Sequence, residues 1–348
     1  MQIGAQGGLQ RWGARFGHIR SLTLPRVQVF ARIGPMRPTQ AALPTVAAIA
    51  AVGFGGLAYA SLIERNAFTV RRASVPVLPR GAASLRVLHL SDMHLVPRQA
   101  RKIGWIRSLA ALQPDLIVNT GDNLADLQAV PAVLRALEPL LAVPGVFVMG
   151  SNDYFAPSFK NPARYLRNGR TRAHESVPLP TADLSDAFNR AGWTDLTNAR
   201  ATLSVAGQTL EFVGVDDAHL SYDRYADVAA PRDASAALTV GVTHAPYQRV
   251  LDAMTADGAG LVIAGHTHGG QLCLPFFGTL VTNCDLDRRR AKGVSRWWPG
   301  AGAVPSTQKP VDAAWLEVSA GLGTSPYAPV RFACRPEVTL LTLRARGA

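Results

Sequence analysis

Residues Gly260-Leu261-Val262-Ile263-Ala264-Gly265-His266-Thr267-His268-Gly269-Gly270-Gln271 carry a short apolar run into a glycine-rich turn that holds two histidines one residue apart. The run is short and glycine-bounded, as a buried strand is, and alternate turn residues reach the same side only where glycines let the chain close. Far upstream, Leu85-Arg86-Val87-Leu88-His89-Leu90 runs into Ser91-Asp92-Met93-His94 in the same way. Twice, a hydrophobic strand ends and side chains able to bind a metal ion project from the turn that follows.

The segments between repeat this pattern. Residues 98–112 read as a helix, with Ile103, Ile106, Leu109 and Leu112 spaced to one face and Pro114 stopping it. Asp115-Leu-Ile-Val-Asn119 is the next strand and ends in Thr120-Gly121-Asp122. A helix over 127–141 precedes the strand Gly145–Met149, which delivers Gly150-Ser151-Asn152-Asp153. Residues 155–178 show no periodicity and read as a basic surface excursion. A helix over 181–191, a strand over 210–215 and a strand over 238–242 leading to His244 follow, then a helix over 247–256. A second basic loop is expected at 285–298, and strands at 314–318 and 338–343 close the chain. Alternating strand, polar turn and helix is the pattern of layered α/β proteins, whose ligands gather at strand ends.

Collecting the polar residues just after these strands gives Asp92, His94, Asp122, Asn152, His244, His266 and His268. Carboxylate and amide oxygens mixed with imidazoles, and no thiolate, suit Mn²⁺, Fe²⁺ or Zn²⁺ and argue against a structural zinc knot. These seven candidates exceed one tetrahedral site and suit two ions that share a carboxylate and keep positions open for water and substrate. The set reads as the centre of a metal-dependent hydrolase. His89 lies within a strand and is read as core or as support for Asp92. His219, near Asp216 and Asp217, stays ambiguous.

Composition bounds the alternatives. The 348 residues carry a net charge of +12, 48% hydrophobic and 17% charged residues. The basic residues are nearly all arginine and dispersed, without aromatic interleaving, so no nucleic-acid partner is expected. Cys273, Cys284 and Cys334 lack the spacing of a disulfide framework or zinc site; one disulfide is conceivable, and free thiols are the expectation. Residues 43–62 hold no charge over a length that matches a bilayer core. The expected organisation is a basic segment 1–42, a transmembrane helix or signal anchor 43–63, a linker 64–84 and a single catalytic domain 85–348. Arg11, Arg15, Arg20, Arg26, Arg32 and Arg37 precede the anchor, which favours a cytoplasmic N-terminus and a catalytic domain outside the membrane. Met36 is an alternative start that would remove most of them.

Asp92-Met93-His94, Gly121-Asp122, Gly150-Ser151-Asn152-Asp153, His244 and Gly265-His266-Thr267-His268 follow in order the motifs of a known group, which the chain resembles over about 85–343. This is the calcineurin-like metallophosphoesterase superfamily, and within it the membrane-associated bacterial branch. Gly269-Gly270-Gln271, Ser319-Ala320-Gly321-Leu322-Gly323 and Cys334-Arg335-Pro336-Glu337 extend the resemblance to that branch, as does Tyr59-Ala60-Ser61-Leu62-Ile63-Glu64 after the anchor. The resemblance implies a two-sheet β-sandwich flanked by helices. It implies Asp92, His94 and His268 around one ion, Asn152, His244 and His266 around a second, and Asp122 between them. Two such ions, about 4 Å apart, would present a bridging hydroxide to a phosphate ester.

The third motif departs from the superfamily's Gly-Asn-His-Asp. Without a gap, Ser151 takes the ligand position and Asn152 that of the histidine; shifted by one, Asn152 is the ligand and Asp153 stands in for the histidine near the leaving group. The shifted register is preferred, because an amide oxygen ligates better than a neutral hydroxyl. The expected function is hydrolysis of a phosphodiester or phosphomonoester, with a membrane lipid head group among the candidate substrates. The alternatives are a nucleotide or cyclic-nucleotide phosphodiesterase, using Tyr154, Phe155 or Tyr165 against the base, and a catalytically weak metal-bound scaffold or binding module. Oligomeric state is not addressed by any of these signals.

Overall fold

A computed structural model of the chain describes residues 39–158 and 177–347. The expected basic segment therefore lies outside the described residues as far as position 38, and most of the excursion over 155–178 does too. The chain divides into two units, Met1–Ala50 and Ala51–Ala348; the described part of the first is the beginning of one helix.

That helix, α1 (Thr39–Ala58), passes through a π turn (Tyr59–Ile63) and a 3-10 turn (Glu64–Asn66) into strand β1 (Thr69–Leu78). There follow β2 (Leu85–Leu90), α2 (Ala100–Ser108), β3 (Leu116–Asn119), α3 (Val130–Leu137), β4 (Gly145–Phe147), α4 (Ser151–Tyr154), α5 (Thr181–Arg190) and β5 (Thr194–Asp195). The second half holds β6 (Ala199–Val205), β7 (Gln208–Gly214), β8 (Leu238–Thr243), α6 (Gln248–Ala256) and β9 (Leu261–Ala264). It ends with the hairpin β10 (Cys273–Leu274) and β11 (Gly278–Thr279), then β12 (Gly293–Trp297), β13 (Ala314–Val318) and β14 (Glu337–Ala345).

Two six-stranded sheets result, in the orders β1-β14-β2-β3-β4-β5 and β12-β13-β9-β8-β7-β6. Strands β2 to β5 run parallel, as do β7, β8, β9 and β13. The ends that follow β2, β3 and β4 therefore fall together, and so do those that follow β8 and β9. The central strands β3, β4, β8 and β9 are buried at every position, so their sequences read as largely apolar runs. Val87, Val118 and Val146 of the first sheet share one core with Phe212, Val240 and Ile263 of the second. The alternate residues Leu88, Ile117 and Phe147 face a different core with Val133 of α3 and Phe188 of α5. Val213 and Val262 pack on Val250 and Met254 of α6. Truncating Leu88, Ile117, Ile263 or Met254 to alanine costs about 2–5 kcal/mol. This is the helix-flanked two-sheet sandwich that the resemblance implies.

Three sequence expectations need correction. Residues 64–84 are not a linker: β1 pairs in parallel with β14 over Thr69–Leu78. As an edge strand it alternates exposed and buried positions, and Arg71 and Arg72 obscure its apolar pattern; its partner lies at the far end of the chain, where no local signal points. The Arg71 guanidinium reaches both carboxylate oxygens of Glu337, at 2.9 and 2.6 Å. The basic loop 285–298 contains β12, and β6, whose Ala201, Leu203 and Val205 alternate toward the core, adds to the expected strands. Cys273, Cys284 and Cys334 are free thiols, as expected.

Val46–Asn66 is long and apolar enough to cross a membrane by length and composition. Val52, Phe54, Leu57, Leu62 and Ile63 all stand exposed. A helix in water hides such side chains, so this surface suggests membrane association.

Candidate metal centre

The turns after β2, β3 and β4 and those after β8 and β9 meet at one end of the two sheets. Backbone bonds lock them together: Asp92 N–H donates to the Gly121 carbonyl at 2.9 Å, His94 N–H to that of Asp122 at 2.9 Å and Gly265 N–H to that of His244 at 2.9 Å. The contact is close enough to require glycine. A Cβ on Gly265 would lie 1.9 Å from Ser91 Oγ, and one on Gly150 would lie 2.4 Å from Asp122 Oδ1. Asp92, His94, Asp122, His266 and His268 all adopt positive φ, between 40° and 67°. Side chains other than glycine pay for this conformation, and its clustering at one place marks a site whose geometry the surrounding structure over-determines.

Asp92, His94, Asp122 and His268 bring ligand atoms within 4.8 Å of one another. His94 Nε2 lies 3.2 Å from His268 Nε2 and 3.4 Å from Asp122 Oδ2, and His268 Nε2 lies 3.5 Å from Asp92 Oδ1. On the other side of Asp122, Oδ1 stands 3.5 Å from His244 Nε2, which is 3.3 Å from His266 Nδ1. Asn152 approaches the same carboxylate, its backbone N–H donating to Oδ1 at 2.7 Å and its side-chain nitrogen to Oδ2 at 2.8 Å. The fold thus brings all seven expected ligands to one place, with Asp122 between two groups. At the third motif, Asn152 is the residue whose side chain reaches Asp122.

The donor set fits divalent cations. His244 Nδ1 meets the Thr120 carbonyl at 2.7 Å and His268 Nδ1 that of Gly323 at 3.2 Å, which turns both Nε2 atoms inward. Burial holds His94 down at about 3 and lowers His266 and His268, keeping these imidazoles in the neutral form that binds a metal. His244 goes the other way, to about 9: burial opposes its charge, but Asp122, Asp217 and Asp92 outweigh it. The carboxylates draw positive charge to this point.

A buried chain of side chains stands behind Asp92. Glu317 meets His89 Nδ1 at 2.5 Å, His89 Nε2 meets Thr120 Oγ1 at 2.8 Å, Thr120 donates to Ser91 Oγ at 2.7 Å and Ser91 donates to Asp92 Oδ2 at 2.5 Å. His89 is therefore a positioning residue, in line with the sequence reading. Arg331, fully buried, was not legible. Its Nη2 donates to the carbonyls of Ala320 at 2.7 Å and Gly323 at 2.7 Å and lies 3.3 Å from His268 Nδ1. His219 resolves as a neighbour of the site, its ring 4.6 Å from that of His266.

Asp153 is placed differently from the expectation. Its buried carboxylate accepts the backbone N–H groups of Asn123 at 2.8 Å, Leu124 at 3.1 Å and Gly150 at 3.0 Å. At the third position of α4 it ties the turn after β4 to the turn after β3, in the manner of a capping-box acid. Burial and then the Asp122 charge push it up to about 7, against these donors. These bonds make Asp153 a tie between the turns that carry Asp122 and Asn152. Tyr154, a candidate base-stacking ring, instead donates to Asp216 at 2.7 Å and packs edge-on against Tyr222.

The sequence also matches known proteins. The profile of the calcineurin-like phosphoesterases matches residues 85–270. The chain is 26% identical over 312 residues to the uncharacterized metallophosphoesterase YkuE of Bacillus subtilis (strain 168), covering 86% of this chain and 94% of YkuE. It is 27% identical over 320 residues to the phosphodiesterase YaeI of Escherichia coli (strain K12), covering 89% and 99%. A transmembrane protein with metallophosphoesterase domain from Danio rerio is 27% identical over 257 residues, 69% of this chain and 52% of that protein. With its ligand turns assembled at the ends of two packed sheets and its profile matched over more than half its length, the chain belongs to the calcineurin-like phosphoesterase family.

Proposed function

We propose that the protein is a membrane-anchored phosphoesterase that uses two divalent ions, Mn²⁺, Fe²⁺ or Zn²⁺, to hydrolyse a phosphodiester or phosphomonoester presented at the bilayer. The observation that carries this reading is the Asp122 carboxylate, with one oxygen 3.4 Å from His94 Nε2 and the other 3.5 Å from His244 Nε2. When bound, two ions there would withdraw charge from the phosphoryl oxygens and supply an ionised water as nucleophile. The chain's own part is to hold the ligands rigid. Thr120 and Gly323 orient the His244 and His268 rings, the Glu317–His89 chain orients Asp92, and Asp153 fixes the turns that carry Asp122 and Asn152. Fixed groups need no reorganisation as charge develops on the reacting phosphate.

The exposed apolar helix supports a single-pass anchor, and the name of the Danio rerio relative, a transmembrane protein, is consistent with one. The arginines before residue 38 favour an extracytoplasmic catalytic domain. YaeI is named a phosphodiesterase, which makes a diester the first substrate to test. The test is the detergent-solubilised full chain, stripped with chelator and assayed on bis-p-nitrophenyl phosphate. Activity should vanish, return with Mn²⁺ at about two ions per chain, and be absent in Asp122→Asn. Chelator-resistant turnover, or full activity with one ion, would overturn the dinuclear reading.

A further inference from the structure

We propose that the hairpin β10–β11 with its flanks, Leu272–Val281, is a second membrane contact that seats the metal centre against the headgroup layer of an anionic phospholipid bilayer. The proposal rests on the reading of α1 as a membrane anchor. Leu272, Leu274, Phe276, Phe277, Leu280 and Val281 are all exposed, and Phe276 is fully so. No charged residue interrupts Leu272-Cys-Leu-Pro-Phe-Phe-Gly-Thr-Leu-Val281. Single exposed apolar residues are ordinary on a protein surface, but six within ten positions at a projecting tip form a patch that water does not favour. Phe276 also takes a φ of 66°, a left-handed conformation that a bulky residue rarely adopts.

Position and charge name the partner. The hairpin lies beside the end of the apolar helix: Cys273 N–H donates to the Phe332 carbonyl at 2.9 Å, the Phe332 ring meets Tyr59 edge-on at 6.3 Å, and Arg331 N–H donates to the Ala60 carbonyl at 3.1 Å. It is therefore level with the point where the helix would leave a bilayer. The Arg288 guanidinium sits 5.2 Å from the centroid of the Phe277 ring, and Arg289 beside it is exposed. Aromatic rings flanked by arginine suit the boundary between acyl chains and anionic headgroups.

The base of the hairpin is bonded to the ligand turn. Thr279 Oγ1 and Cys273 Sγ both donate to the Gly269 carbonyl, at 2.9 and 3.2 Å, immediately after His268. Beyond the hairpin, the Asn283 carbonyl lies 3.3 Å from His266 Nε2. Insertion of the tip would hold the centre at a set height over the lipid surface, which favours a phosphate ester carried by an amphiphile over one free in solution.

The test places an environment-sensitive NBD label on Phe276→Cys in full-length Cys284→Ser protein, where the remaining thiols are buried, reconstituted into phosphatidylcholine–phosphatidylglycerol vesicles. Val311→Cys is the control, fully exposed before β13 at the end of the sheet away from the ligand turns. Doxyl-labelled lipid should quench the label at 276, and aqueous iodide should quench it at least threefold less than at 311. Equal iodide quenching at both positions, in vesicles that retain the protein through carbonate extraction, would overturn the hairpin contact while leaving the anchor intact. Protection from iodide without quenching by lipid would mean that a second copy of the chain covers the tip, and would also overturn it. Loss of the protein on carbonate extraction would instead sink the anchor reading, and this proposal with it.

Discussion

Replacing Gly150 by alanine adds one methyl group where the turn after β4 meets the middle of the centre. The new Cβ would lie 2.4 Å from Asp122 Oδ1 and 2.7 Å from His244 Nδ1 and Cε1. Ordinary contact begins near 3.4 Å, so Asp122 or His244 must retreat by about 1 Å. The backbone is not the obstacle, because Gly150 is extended, with φ −113° and ψ 172°, a conformation alanine takes freely. A displacement of about 1 Å at a reacting centre costs on the order of 100-fold in rate. We expect kcat/KM for bis-p-nitrophenyl phosphate to fall by about 100-fold and metal analysis to show loss of one ion. Gly104→Ala is the matched control: Gly104 lies in α2 with no heavy atom within 4 Å of an added Cβ, so the same substitution should leave activity unchanged and stabilise the helix by about 0.5–1 kcal/mol. Retention of both ions and of kcat/KM within about twofold in Gly150→Ala would refute the argument that this close approach sets the site.

Other perturbations probe the surroundings. His89→Gln should weaken metal affinity about 10–100-fold without unfolding the chain, as read by metal titration and a thermal melt, since it breaks the chain from Glu317 to Asp92. Asn152→Ala should lower occupancy of one metal position while Ser151→Ala leaves metal content nearly unchanged, because the Asn152 side chain is the one that meets Asp122. Glu211 tests pH linkage away from the site. Burial opposes its charge, but hydrogen bonds from Arg200, Thr239 and the Asp233 backbone win and hold its carboxylate below the usual 4.5. Its contribution is then fully present above that value and lost as pH falls through the lower folded value. Glu211→Gln should cost about 1–3 kcal/mol at pH 7 in denaturant melts and converge with the parent protein in acid; a constant gap at all pH values would contradict this.

Much of this protein could be read from local signals. A strand ending in a turn announces itself through a few consecutive residues: Leu85–Leu90 before Asp92 and His94, and Leu261–Ala264 before His266 and His268 are complete signals within ten positions. Because parallel neighbouring strands deliver their ends to the same side, a run of such turns implies that their side chains meet, and all seven candidate ligands do meet. Some features needed the folded chain because their partners are remote or their backbone is unusual. β1 looked like a linker until β14, paired with it through Arg71 and Glu337, closed the sheet. Arg331 shows no sign in its own neighbourhood, since its partners are backbone carbonyls that only packing brings together. Asp153 reads in sequence only as a carboxylate beside Asn152, whereas the fold binds it to three backbone N–H groups from two different turns. Local sequence specifies which residues stand at strand ends; the direction a side chain faces depends on which distant groups fill the space around it, and only the tertiary structure decides that.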